Sequence, residues 1–132
     1  MANKLYKQFK TALMRGEVDL LNDAIKVALV SDSLFVFDDN HSVLADVSGV
    51  ILTGTVSAKS VLNGSFGAGA TLVSNSLSGQ TVNALVLFKD SGNPATSALL
   101  AFFDSGVGLP LALQGADVSI TWPDTGARIF EL

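Results

Sequence analysis

Three tripeptides, Asp90-Ser91-Gly92, Asp104-Ser105-Gly106 and Asp124-Thr125-Gly126, match the arrangement in which aspartic proteases hold their catalytic carboxyls. That chemistry needs two carboxylates sharing one proton, each in a loop cradled by the strands that follow. Only six residues follow Gly126, and Pro123 stands before Asp124 where an apolar strand residue is required. Asp and Gly are favoured in tight turns on conformational grounds alone, so all three read as turns. A second cluster, Asp38-Asp39-Asn40-His41, gathers oxygen and imidazole ligands within four residues. His41 is the single histidine, which excludes a two- or three-histidine metal site. The alternating ligands around a glycine that calcium loops use are absent too. The cluster reads as a solvated acidic loop suited to recognition.

Nucleophilic catalysis lacks its parts as well. There is no Gly-x-Ser-x-Gly elbow, and His41 is the only imidazole base. With no cysteine, thiol catalysis, thiolate zinc sites and cysteine-ligated iron–sulfur clusters are excluded. Gly67-Ala68-Gly69 is not followed by the Gly-Lys-Ser/Thr of a nucleotide loop, nor does it complete Gly-x-Gly-x-x-Gly. The expectation is a chain that is not an enzyme, with no catalytic residue, no cofactor and no metal.

The elements that carry these groups read as mainly β. At 132 residues, 48% hydrophobic and 15% charged, the chain has the size of one domain, and such a domain removes roughly two thirds of its unfolded surface from water without disulfides or metal. From Ala24 the apolar period is two: Ile25, Val27 and Leu29; Val50, Leu52, Gly54 and Val56; Val118, Ile120 and Trp122. These predict half-buried strands. Residues 84–88 and 98–103 lack alternation and suit central strands covered on both faces. Asn63-Gly64, Ser78-Gly79 and the Asp-Ser/Thr-Gly tripeptides punctuate them as turns, and Pro110 and Pro123 suit strand ends. Segment 63–79, rich in Gly, Ser and Ala, reads as a strand plus a mobile loop. The fold predicted for 17–132 is a single-domain β-sandwich or jelly roll of about eight strands.

Residues 1–16 form a different element, a basic amphipathic helix or arm. Asn3 is its predicted cap and Gly16 its stop, with Leu5, Phe9, Ala12 and Leu13 on one stripe and Lys7, Lys10 and Thr11 opposite. Lys4, Lys7, Lys10 and Arg15 fall in the first fifteen residues with no acid, which leaves four bases and twelve acids in the rest: +4 on a body of −8. A helix this short must dock on its own body or on a partner. Lys4, Tyr6, Lys7, Phe9 and Lys10 are the residues predicted to contact that partner. A net charge of −4 argues against nucleic acid. No apolar stretch reaches the length of about 18 residues that spans a bilayer, and no secretory signal pattern follows the basic opening. Binding of the helix to an anionic membrane is not expected. Exposed sheet edges and a basic arm on an acidic body predict a homodimer or homotrimer.

The chain resembles a family of small structural proteins of tailed bacteriophages. The likeness is carried by the opening Met1-Ala2-Asn3-Lys4-Leu5-Tyr6-Lys7, by Ile25-Lys26-Val27-Ala28-Leu29-Val30 and by Leu44-Ala45-Asp46-Val47. It continues through Leu85-Val86-Leu87-Phe88-Lys89-Asp90-Ser91-Gly92-Asn93, Asp104-Ser105-Gly106-Val107-Gly108-Leu109-Pro110 and Trp122 to the closing Ile129-Phe130-Glu131-Leu132. Glu131 is a departure, an acid where a base is expected. The resemblance implies a virion component, a cement or decoration protein on the capsid exterior that passes through the host cytoplasm during assembly. Its partner would be the phage major capsid protein. A tail or neck adaptor is the alternative within the virion. Outside it, a carbohydrate-binding sandwich would need Tyr6 and Trp122 as stacking platforms.

Overall fold

The two longest apolar runs lie side by side at the centre of the molecule. The computed structural model describes residues 4–31, 37–104, 109–122 and 129–131. Asn3, Ser105, Gly106 and segment 123–128, with its Asp124-Thr125-Gly126, lie outside the described residues. In chain order the elements are β1 (Lys4–Leu5), α1 (Lys7–Met14), β2 (Ile25–Val30), a 3-10 turn (Leu44–Asp46), β3 (Val50–Thr55) and β4 (Ser60–Leu62). They continue with β5 (Ser65–Gly67), β6 (Thr71–Val73), β7 (Ser78–Val82), β8 (Ala84–Lys89), β9 (Ala98–Phe103), β10 (Leu111–Gln114), β11 (Val118–Ile120) and β12 (Phe130–Glu131).

The main sheet has five antiparallel strands in the order β1-β9-β8-β2-β3. Directly paired residues share a face, so Val27, Leu87, Leu29, Leu85 and Phe103 line one side while Ala28, Val86, Phe102, Phe88 and Leu99 line the other. All ten are buried. The sheet is covered on both faces, as expected for β8 and β9, and this corrects the half-buried reading of β2, where only Lys26 reaches solvent. One face meets the short strands: Phe103 packs on Trp122 with ring centroids 6.0 Å apart, and the Trp122 indole N–H donates to Thr71 Oγ1 at 3.0 Å. The close approach of β6 to β3 depends on Gly54, since a Cβ there would lie 2.7 Å from Val73 Cγ2. The other face is closed by Phe37, packed between Tyr6 at 4.8 Å and Phe102 at 5.7 Å.

The remaining strands form small antiparallel sheets, β12-β5-β4, β11-β6 and β10-β7. The molecule is thus a mainly β, sandwich-like domain, with twelve strands among the described residues where about eight were expected. Among the described residues the sheets hold five, three, two and two strands. The surplus consists of two- and three-residue strands, two of them in segment 63–79, where the expected loop holds β5 and β6. Such short pieces carry no periodicity of their own and owe their extended conformation to their partners: Phe66 of β5 pairs with both Val61 and Phe130. Asn63-Gly64 makes the β4–β5 turn as expected, with φ of 52° and 80°, the left-handed pair that a two-residue hairpin requires.

The N-terminal region is the main correction. Lys4 and Leu5 pair with Phe102 and Ala101, and the Tyr6 N–H donates to Leu100 O, so these residues are strand where a helix was expected. The helix starts at Lys7 and its fully buried residue is Phe9, with Ala12 and Leu13 half-buried. Residues 4–16 are therefore built into the sandwich and are not a detachable arm.

Candidate functional site

The five predicted contact residues fall into two sets. Lys4, Lys7 and Lys10 are exposed, whereas Tyr6 and Phe9 are 0% and 1% exposed. The expectation that Tyr6 and Phe9 touch a partner is corrected: both rings are consumed by their own core. Phe9 meets Phe130 edge-on at 5.6 Å, and Phe130 packs on Phe66 at 5.4 Å. Tyr6 packs on Phe37, and its buried hydroxyl has no hydrogen-bond partner among the described residues. Burial first, then the charges of Asp38 and Asp39, raise its pKa well above the ordinary tyrosine range.

The acidic loop is tied to the helix. Tyr6, at the N-cap position, supplies no side-chain cap. Instead the Lys7 backbone N–H donates to Asp39 Oδ1 at 2.9 Å, and Lys7 Nζ donates to Asn40 Oδ1 at 3.0 Å. A carboxylate at that end satisfies an orphan N–H and complements the helix dipole. Asp38 receives the Asn40 N–H and lies 3.8 Å from His41 Nε2. No group of three His, Cys, Asp or Glu side chains that could hold a metal occurs among the described residues.

The lysines border an open groove of about 410 Å³, lined by Lys4, Leu5, Lys10, Phe37 and Asp39. Lys4 Nζ stands 5.5 Å from the centre of the Phe37 ring, a cation–π distance. Elsewhere the described cations are engaged: Lys26 with Asp90 at 3.2 Å, Lys89 with Asp23 at 3.3 Å, Arg15 with Glu17 at 3.3 Å, and Lys59 with the Asp23 carbonyl. The sequence pointed to the lysines. It marked Asp39 only as part of an acidic recognition loop and gave no sign of Phe37, and both join the lysines from about 30 residues away through the fold alone.

The other sequence candidates have structural duties. Asp90 accepts the Gly92 N–H and pairs with Lys26, and these contacts hold its carboxyl below the usual carboxylate range, in that order of importance. Such a carboxylate stays ionised, the opposite of one that shares a proton. The Ser91, Thr96 and Ser97 hydroxyls bond one another and the Asn93 carbonyl, tying the same turn. Trp122 is 4% exposed and Tyr6 fully buried, so neither offers a surface on which a sugar could stack. No family model matches the chain, and neither does any curated protein.

The buried hydroxyl gives a spectroscopic prediction. Tyr6 is the only tyrosine, so phenolate absorbance reports on it alone. Its folded pKa is raised above the unfolded value of about 10. The neutral phenol's contribution is therefore fully present below pH 10 and lost as pH rises beyond it. Phenolate absorbance should appear together with the loss of near-ultraviolet circular dichroism, as one transition above pH 10. Tyr6→Phe, which deletes an unsatisfied buried hydroxyl, should keep or raise the melting temperature.

Proposed function

We propose that the chain is a non-catalytic virion protein that binds and stabilises the shell of a tailed bacteriophage from the outside, with the major capsid protein as its partner. One observation carries this reading: Lys4 on β1 and Lys7 and Lys10 on α1 are all exposed, on a chain whose net charge is −4. The resemblance to phage structural proteins supports it. Cementing a shell requires modest contacts repeated many times, because linked sites convert weak affinity into avidity. A surface of three lysines suits this, since single exposed ion pairs contribute little each.

The test is co-sedimentation with undecorated shells. Deleting residues 1–16 would remove β1, Tyr6 and Phe9 from the core and report on folding, so the informative variant is Lys4→Gln/Lys7→Gln/Lys10→Gln. The wild-type protein is expected to pellet with shells at low salt and less at high salt. The triple variant should bind about tenfold or more weakly with an unchanged melting temperature. Equal binding by the two proteins would remove the lysine edge from the interface.

A further inference from the structure

The described cations fall into two groups. Lys7, Lys26, Lys59, Lys89 and Arg15 each hold a carboxylate or carbonyl oxygen of their own chain. Among the described residues Lys10 holds none, Lys4 has only the face of Phe37, and the two open onto the same groove. We infer that this groove is the docking site for an acidic protein segment of the shell, an extended stretch in which a carboxylate side chain stands next to an apolar one. The inference rests on the shell-binding reading and names the chemistry recognised.

The lining dictates that chemistry. The Lys4 and Lys10 ammonium groups are donors only and call for acceptors. Between them lie Leu5 and Phe37, half-buried apolar groups. Phe37 is wedged between Tyr6 and Phe102, so its exposed part is a preformed apolar surface on which a second side chain can rest with little ordering cost. Asp39 completes the wall and is fixed there by the Lys7 backbone N–H. Two ammonium groups and one carboxylate leave a single net positive charge. That suits an isolated carboxylate and disfavours dense phosphate arrays, because nucleic acids and anionic bilayers draw their affinity from many cations acting together. The acidic remainder of the chain opposes such polyanions further.

The probe is a labelled synthetic peptide alternating glutamate with valine, titrated against the full chain by fluorescence anisotropy. A glutamine–valine peptide, duplex DNA and phosphatidylglycerol vesicles serve as comparisons. The glutamate peptide is expected to bind the wild-type protein, more weakly with added salt, and the glutamine peptide not to. Lys4→Gln/Lys10→Gln should weaken binding about tenfold, and Lys4→Glu/Lys10→Glu should switch preference to a lysine–valine peptide. Absence of glutamate-peptide binding, equal binding by the double glutamine variant, or tighter binding of DNA or vesicles would overturn the assignment. Peptide binding by a protein that fails to pellet with shells would uphold the groove and refute the shell; pelleting without peptide binding would do the reverse.

Discussion

Phe9→Ala should lower the stability of the domain by about 3–5 kcal/mol, the range for deleting a buried phenylalanine. With total stabilities of about 5–15 kcal/mol for such domains, this variant should be partly or wholly unfolded near body temperature. Phe9 is the only fully buried residue of α1. Through Phe130 and Phe66 it joins the helix to the sheet formed by β12, β5 and β4, so the cavity would open where three elements meet. Lys10→Ala, one residue along and exposed, should change stability by no more than about 0.5 kcal/mol. Urea unfolding of both variants checks the contrast. If Phe9→Ala is as stable as Lys10→Ala, the helix does not pack on its own body and the aromatic side chains are free for a partner after all.

Gly54→Val should cost about 1–3 kcal/mol, the usual range for overpacking a filled site. The added Cβ would sit 2.7 Å from Val73 Cγ2 and 3.0 Å from Thr71 Cγ2, and the branches of valine would crowd them further. Neither neighbour yields easily. Thr71 is 0% exposed and its hydroxyl receives the Trp122 indole N–H, while Val73 is paired with Val118 on β11. The strain would push β6 and β11 off the main sheet, so Trp122 fluorescence should report the change along with the lowered urea midpoint. Gly79→Val makes a useful comparison: nothing lies within 4 Å of a Cβ there, but φ is +78°, so any cost arises from the backbone. A Gly54→Val protein with unchanged midpoint and fluorescence would mean that β3 and β6 do not pack as closely as described.

These two positions show what the sequence discloses and what it withholds. The apolar runs of β8 and β9 announce a sheet covered on both faces, because a continuous run cannot present a polar side to water. Alternation in β11 likewise predicts Val118 and Ile120 inside and Ser119 outside, as found. In β2 the same signal misled, since Ala28 is small enough to stand in either class and only tertiary packing buried it. At the N-terminus, Leu5, Phe9, Ala12 and Leu13 fit a helix stripe, yet the free edge of β9 captured Lys4 and Leu5 as a strand. Local periodicity could not reveal that edge. The candidate site was half legible: charge asymmetry marked the three lysines, whereas the Phe37 ring and the Asp39 cap depend on a loop folding back over more than thirty positions. Tyr6 was expected at an interface as part of a contact helix, whereas it stands between β1 and α1 with its ring packed on Phe37.

The most direct test of the shell-binding account is a density map of undecorated shells incubated with the purified protein. The account predicts ordered copies over the outer surface, in numbers approaching those of the shell subunit, with the β1–α1 edge turned towards the shell. Bare shells, or density confined to about a dozen copies at the neck, would contradict it.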